Sequence, residues 1–267
     1  IIQKEEPLDN CIIKIDPDVV INDKLDNDTS YIKELKKNGI KVINFEDLGE
    51  GGSHADLVIN AIYSSKEFQQ NYYYGFQYYL LRDEFIFREP RKVIEKNVTR
   101  ILIAFGGTDP NNLTRKVLES VYNCCIEKSI LINVVLGIGY DKEKSLQKFQ
   151  NIMINKDVKN ISDFMISSDI IFSAMGRTVY EIASLGIPAI LMAQSKREMS
   201  HTFGYGENGF INLGEGKLAK NSEIRDGFAS LVVNYRARKQ MNRMMRQYDL
   251  KSGRSRVIKL LKDFIEE

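Results

Sequence analysis

The sequence predicts an α/β protein built on parallel sheet, and three observations carry that prediction. Short apolar runs alternate with helical segments through residues 18–61, they do so again through residues 100–213, and an aromatic stretch separates the two series. Strands that are each followed by a helix pair in parallel, because the helix is the crossover that brings the chain back to the same edge.

In the first series, Asp18–Asn22 (DVVIN), Ile40–Phe45 (IKVINF) and Ala55–Ala61 (ADLVINA) read as strands. Ser30–Asn38 reads as a helix stopped by Gly39. The aromatic stretch Asn71–Phe87 (NYYYGFQYYLLRDEFIF) reads as a packed connector between two domains, since no basic stripe beside it suggests a platform for stacked bases. In the second series, strands are expected at Arg100–Phe105, Ile130–Leu136, Ile152–Ile154, Ile170–Ser173, Ala189–Ala193 and Gly209–Leu213, and residues 225–267 are mostly helical.

The 267 residues, 43% of them hydrophobic, suffice for one large or two modest domains. A net charge of +2 with acids and bases interspersed does not point to nucleic acid or a membrane surface. The locally basic run Arg236–Arg256 reads as a solvated helix with Met241, Met244 and Met245 turned inward. Cys11 and the adjacent Cys124 and Cys125 make no disulfide framework and suit a reducing cytoplasm. No run of 18 apolar residues and no signal peptide occurs, so a cytoplasmic protein without membrane insertion is expected. The chain opens on IIQKEEPLDN without a Met, which reads as an internal start.

Two stretches carry candidate chemistry. In RILIAFGGTDPNNLTRKVLESV (Arg100–Val121), Gly106-Gly107-Thr108 break the apolar run, Asp109 suits an N-cap and Pro110 the first helical position. Leu113, Val117, Leu118 and Val121 then form one helical face. Free N–H groups at a helix start attract anions, but neither a Walker A loop nor G-x-G-x-x-G is present. A phosphate-binding turn and a plain strand-to-helix turn both remain open.

The second stretch is SSDIIFSAMGRTVYEIASLGIPAILMAQ (Ser167–Gln194): a strand to Ser173, a turn over Ala174–Arg177, and a helix over Thr178–Leu185 closed by Gly186. Open parallel sheets collect ligands at the carboxyl ends of their strands, where both turns fall. Glu181 is either the carboxylate of a Thr178-x-x-Glu181 capping box or an acceptor for two ribose hydroxyls. Asp26–Asp28 (DND) matches a metal-binding D-x-D, yet it sits before a helix where such residues serve as caps, and no metal is assigned. Of the two histidines, His201 follows the strand ending near Gln194 and is preferred to His54 as a candidate general base, against the common case of a solvated loop histidine.

Together, ILIAFGGTDPNNLT, GFQYYLLRDEF and SAMGRTVYEIASLGIPAILMAQ resemble the UDP-sugar hydrolases of pseudaminic acid biosynthesis and the related spore-coat polysaccharide proteins described as glycosyltransferases. The resemblance runs from about Val19 to the C-terminal helices. It implies a GT-B fold, two Rossmann-like domains with a nucleotide-sugar cleft. Residues 1–90 would then be a partial N-terminal domain with its connector, 91–225 the nucleotide-binding domain, and 226–267 helices packing back on the domains.

The same resemblance implies roles. Gly106, Gly107 and Thr108 would approach the diphosphate; Ser173, Gly176, Arg177 and Thr178 would form a second anion-binding turn; Glu181 would take the ribose; and Gln194 would join the set. Ile152–Ile154 and Val158–Ile161 would border the uracil. UDP or a UDP-sugar is substrate or product, without a cofactor, and the implied partners are the nucleotide sugar and fused or associated sugar-biosynthesis domains.

Two departures from the family matter. The G-x-G-H-x-x-R loop that carries its proposed base does not occur, and Lys24-Leu25-Asp26 stand where the family carries a tyrosine. A strand, a helix and a strand are therefore expected to be missing, and the chain is expected to be a fragment of a longer polypeptide. The expected function is cleavage of a UDP-linked modified sugar with water as acceptor, in bacterial surface-glycan or nonulosonic acid synthesis. Glycosyl transfer in the same cleft and a non-catalytic binding module are the alternatives.

Overall fold

The structure, a computed structural model, describes residues 7–63 and 70–266. It divides into two units, residues 1–79 with 255–267, and residues 80–254. The first boundary thus falls at Tyr79 rather than near residue 90, and the last helix counts mostly with the first unit.

The first unit contains α1 (Leu8–Ile13), β1 (Val19–Asn22), α2 (Thr29–Lys37), β2 (Lys41–Phe45), β3 (Leu57–Asn60) and β4 (Tyr72–Tyr74). Its sheet runs β1-β2-β3-β4, parallel throughout. Side chains alternate across it, as the period of two requires. Val42 and Val58 pack with Tyr31, Ile32 and Leu35 of α2, while Ile43, Leu57 and Ile59 pack on the other face with Val257 of the C-terminal helix.

β4 corrects the connector assigned to Asn71–Phe87, because Tyr72–Tyr74 pair with Val58–Asn60. Tyr72 joins one core face and Tyr73 the other. Three identical residues hide a period of two, so only the β propensity of tyrosine was available as a signal.

The carboxyl ends of β1 and β2 are polar. Asn22 donates to Asn44 across the register pair at 2.8 Å. Asn44 in turn donates to the fully buried Asp47, which also accepts from Gly49 N and from the backbone and side chain of Asn27. Those bonds offset the cost of burying the carboxylate.

The second unit contains α3 (Asp83–Ile86), β5 (Arg100–Ala104), α4 (Leu113–Glu127), β6 (Leu131–Leu136), β7 (Ile152–Lys156), α5 (Ile161–Ile166) and β8 (Ile170–Ser173). It continues with α6 (Thr178–Leu185), β9 (Ala189–Ala193), α7 (Lys196–Met199), β10 (Phe210–Glu215), α8 (Asn221–Val233) and α9 (Tyr235–Met245), and the start of α10 (Gly253–Glu266). The parallel order is β10-β9-β8-β5-β6-β7. The chain leaves β5 on one side for β6 and β7, then returns on the other for β8, β9 and β10. Such a reversal opens a crevice at the strands' carboxyl ends.

Leu113, Val117, Leu118 and Val121 all enter the core, where α8 contributes Ile224, Phe228 and Leu231. On α9, Met241 and Met245 are buried and Met244 is half-buried. Arg238, within the basic run, is buried as well and donates to the carbonyls of Leu231, Val232, Glu95 and Lys96. Basic composition concealed a structural arginine.

Candidate functional site

A hollow of about 280 Å³ lies in the second unit at the carboxyl ends of three adjacent strands. Gly106 and Gly107 enter it after β5, Gly137 and Ile138 after β6, and Asp157 and Val158 after β7. Thr178 and Glu181 reach it from α6, Ile161 from α5, and Arg82 from the residue before α3. A larger hollow of about 620 Å³ lies along α9, where Lys92, Lys239, Arg243 and Arg246 line it. It meets no strand end, so the smaller one, with its converging polar groups, is the better site.

The glycines are there for space. Gly106 has φ +81°, and nothing lies within 4 Å of a Cβ built on it or on Gly107. The amides of Gly106 and Gly107 have no hydrogen-bond partner among the described residues. Gly137 is different: a Cβ there would stand 2.3 Å from Gly107 Cα, because the loops after β5 and β6 run backbone against backbone. Gly139 N donates to Gly107 O at 3.0 Å and seals that contact.

The start of α4 corrects the expected helix entry. The helix begins at Leu113 behind Asn112, not at Pro110. Asp109 (φ +42°) caps it from farther back, accepting from Leu113 N at 2.8 Å and Thr114 N at 2.9 Å. Donors expected to attract an external anion are thus taken by the protein's own carboxylate. Gln194 Nε2 donates to the same Asp109 at 2.7 Å, and Asn111 donates to Gln194, so Gln194 ties the loops after β5 and β9.

Glu181 does not cap its own helix, since no side chain caps α6. Its Oε1 accepts from Arg82 Nε at 2.8 Å, a charge-assisted bond stronger than one from a neutral amide. Its Oε2 receives no hydrogen bond from the described residues. The carboxylate is only 7% exposed. Burial pushes its pKa up, and Arg82 opposes that shift.

The turn after β8 is filled. Glu198 Oε2 accepts from Gln194 N at 2.7 Å and from Met175 N at 3.3 Å, and burial raises the pKa of that carboxyl. Met175 O accepts from His201 Nδ1 at 2.9 Å, which puts the ring proton there. His201 Nε2 is then a bare, buried acceptor without a partner. The ring is 0% exposed, and burial lowers its pKa to about 4. As a base for solvent water it is out of reach; it holds the turn.

Of the residues expected to meet the nucleotide, the hollow brings together Gly106, Gly107, Thr178 and Glu181, with Val158 and Ile161 at the expected base end. Thr108, Ser173, Gly176, Arg177, Gln194 and Ile152–Ile154 lie outside its lining. Ser173 Oγ is buried without a partner, and Arg177 is exposed. Arg82, Gly137, Ile138 and Asp157 were missed. Gly137 follows a strand as Gly106 does, so the same pattern could have found it. In the first unit, His54 is exposed in the turn Glu50–His54, and Asp28 occupies the N-cap position of α2. Among the described residues no three His, Cys, Asp or Glu are grouped to hold a metal, and no helix is long and apolar enough to cross a membrane.

No family model matches the chain. It is 34% identical over 206 residues to an uncharacterized protein of Methanocaldococcus jannaschii, a match covering 69% of this chain and 42% of that protein. It is homologous to the spore coat polysaccharide biosynthesis protein SpsG of Bacillus subtilis, 23% identical over 263 residues, covering 94% of this chain and 78% of that one. The chain therefore spans less than half the length of the first relative.

Among solved structures, the S. aureus MnaA–UDP co-structure matches with a TM-score of 0.69 at 13% identity, over 97% of this chain and 79% of that one. The spinosyn rhamnosyltransferase SpnG, complexed with thymidine diphosphate, matches with a TM-score of 0.59 at 12% identity, over 94% and 74%. At such identities the structural likeness establishes architecture alone. The chain is GT-B-like: two Rossmann-like parallel-sheet units, one of four strands and one of six.

Proposed function

We propose that the second unit binds the nucleoside diphosphate of a UDP-linked sugar, and that the protein acts on the sugar–diphosphate bond in the synthesis of a surface glycan. The observation that carries this is the hollow itself, lined at the strand ends by two glycines whose amides have no partner among the described residues and by a carboxylate with one oxygen bonded. Amides suit a phosphate, and a carboxylate oxygen suits a ribose diol. Donors at Gly106 and Gly107 would stabilise the charge that develops on the leaving diphosphate. The structural neighbours named with UDP and thymidine diphosphate, and the homology to SpsG, support the ligand class. No resident cofactor enters this chemistry; the UDP-sugar is the substrate.

Transfer of the sugar to a hydroxyl acceptor is the reaction we favour, because SpsG is named for polysaccharide biosynthesis. Hydrolysis is the second reading, carried by the resemblance of GFQYYLLRDEF and its companion stretches to UDP-sugar hydrolases. It needs a base within about 3 Å of the attacking water, and His201 is sealed off. In a calorimetric titration the chain should bind UDP more tightly than CDP, GDP or NAD. Equal affinity for all four, or none for UDP, would overturn the proposal. With a UDP-sugar, UDP released only beside a glycan acceptor supports transfer; free sugar supports hydrolysis. Binding without either product leaves a non-catalytic module.

A further inference from the structure

We propose that Arg82 is a positioning residue for the nucleotide site: its ion pair fixes the Glu181 carboxylate with one oxygen anchored and the other turned to the ligand's ribose diol. The inference rests on the nucleotide proposal above and deepens it.

The geometry is a relay of three charged side chains. Ser162 N, at the start of α5, donates to Glu84 Oε2 at 2.9 Å. Glu84 Oε1 holds Arg82 Nη1 at 2.8 Å, and Arg82 Nε donates to Glu181 Oε1 at 2.8 Å. The guanidinium also lies 5.1 Å over the Phe85 ring, which further restricts it. Glu181 sits between the two outcomes open to a buried acid. Left alone, a carboxyl at 7% exposure takes up a proton and becomes a poorer acceptor. Paired through one oxygen, its charged form is favoured by the guanidinium and Oε2 is kept for a ligand. Arg82 is itself 53% exposed and lines the hollow, so it reaches the acid from the solvent side without filling the space. The other charged groups facing Glu181 are Glu84 and Arg177, and Asp157 lines the same hollow. Among the described residues, Arg82 is the charged group that hydrogen-bonds the carboxylate.

The sign follows from the burial shift. Without Arg82 the Glu181 pKa rises further, so ligand affinity that needs the carboxylate is lost as pH falls and regained as pH rises. UDP titrations of the wild type, Arg82→Ala and Arg82→Lys at about pH 6, 7.5 and 8.5 should show Arg82→Ala weakened about tenfold at the lowest pH and within about threefold of wild type at the highest. Arg82→Lys should recover most of the loss. A deficit equal at every pH, or tighter binding by Arg82→Ala, would overturn the proposal.

A ligand-free readout separates this failure from that of the nucleotide proposal. The carboxyl ¹³C resonance of Glu181, assigned by its disappearance in Glu181→Gln, should titrate at higher pH in Arg82→Ala than in the wild type. An unchanged midpoint would sink the positioning role whether or not UDP binds.

Discussion

The turns after β5 and after β8 share one pattern, an apolar strand, a glycine and a helix, yet they end in different states. After β5 the two glycines line a hollow and their amides have no partner among the described residues. After β8 the amide of Met175 is held by Glu198 and its carbonyl by His201. The difference comes from elsewhere in the chain. Glu198 and His201 both belong to the segment after β9, which brings a carboxylate and a ring onto the second turn. A strand-glycine-helix pattern thus specifies backbone shape, whereas what occupies the turn is decided by side chains far off in sequence.

The largest expected effect tests the first turn's frame. Asp109→Ala removes the acceptor of three donors: Leu113 N, Thr114 N and Gln194 Nε2. Three orphaned donors at a buried site should cost roughly 3–4 kcal/mol, read by urea unfolding. A loss under about 1 kcal/mol would mean that the open turn is held by the Gly107–Gly139 contact, not by the cap.

The second turn has a pH signature. His201 titrates near 6.5 when unfolded and at about 4 when buried, so folding is opposed wherever the unfolded ring binds a proton and the folded one does not. Its contribution to stability is complete above about pH 6.5, falls as pH drops toward about 4, and is constant below, on the order of 3 kcal/mol in all. Glu181 and Glu198, with raised pKa values, act in the opposite sense, so the quantity to follow is the difference between wild type and His201→Gln. Parallel stability curves for the two proteins would show a ring in contact with solvent and erase the contrast between the turns.

Glu181→Gln then asks whether the open site uses its carboxylate. UDP affinity should fall by about 1.5–3 kcal/mol, the worth of a hydrogen bond to a charged group. Folding stability should change little, because the weaker bond from Arg82 is offset by no longer burying a charge and the side chain caps no helix. Lost stability with intact UDP affinity would return Glu181 to a purely structural role.

Much of this was legible, and what was not failed for identifiable reasons. Ile170–Ser173, Thr178–Leu185 and Ala189–Ala193 are found where apolar runs and the Gly186 stop predict them. Local pattern suffices for elements that are buried on both faces. Tyr72–Tyr74 escaped because identical residues show no alternation, and Arg238 because burial is not written in charge. At the site, the glycines were readable from the break in a strand. The Arg82–Glu181 pair was not, since it joins positions 99 residues apart and local spacing offered a capping box instead.

The smallest expected effect is the one that separates the turns most sharply. Glu198 accepts both of its backbone bonds on a single oxygen, from Gln194 N and Met175 N. Glu198→Gln keeps an oxygen for those donors and removes a charge that burial already disfavours. The loss of charge assistance and the relief of desolvation therefore oppose each other, and stability should shift by less than about 1 kcal/mol. If the carboxylate is simply part of the fold, UDP affinity stays within about twofold of wild type. If it instead stands where a phosphate would bind, removing its charge lessens repulsion of the anion and lets the phosphate compete for the Met175 amide. UDP would then bind about tenfold more tightly. That outcome would make the second turn a site with a built-in occupant, and the contrast with the first would be one of regulation, not of architecture.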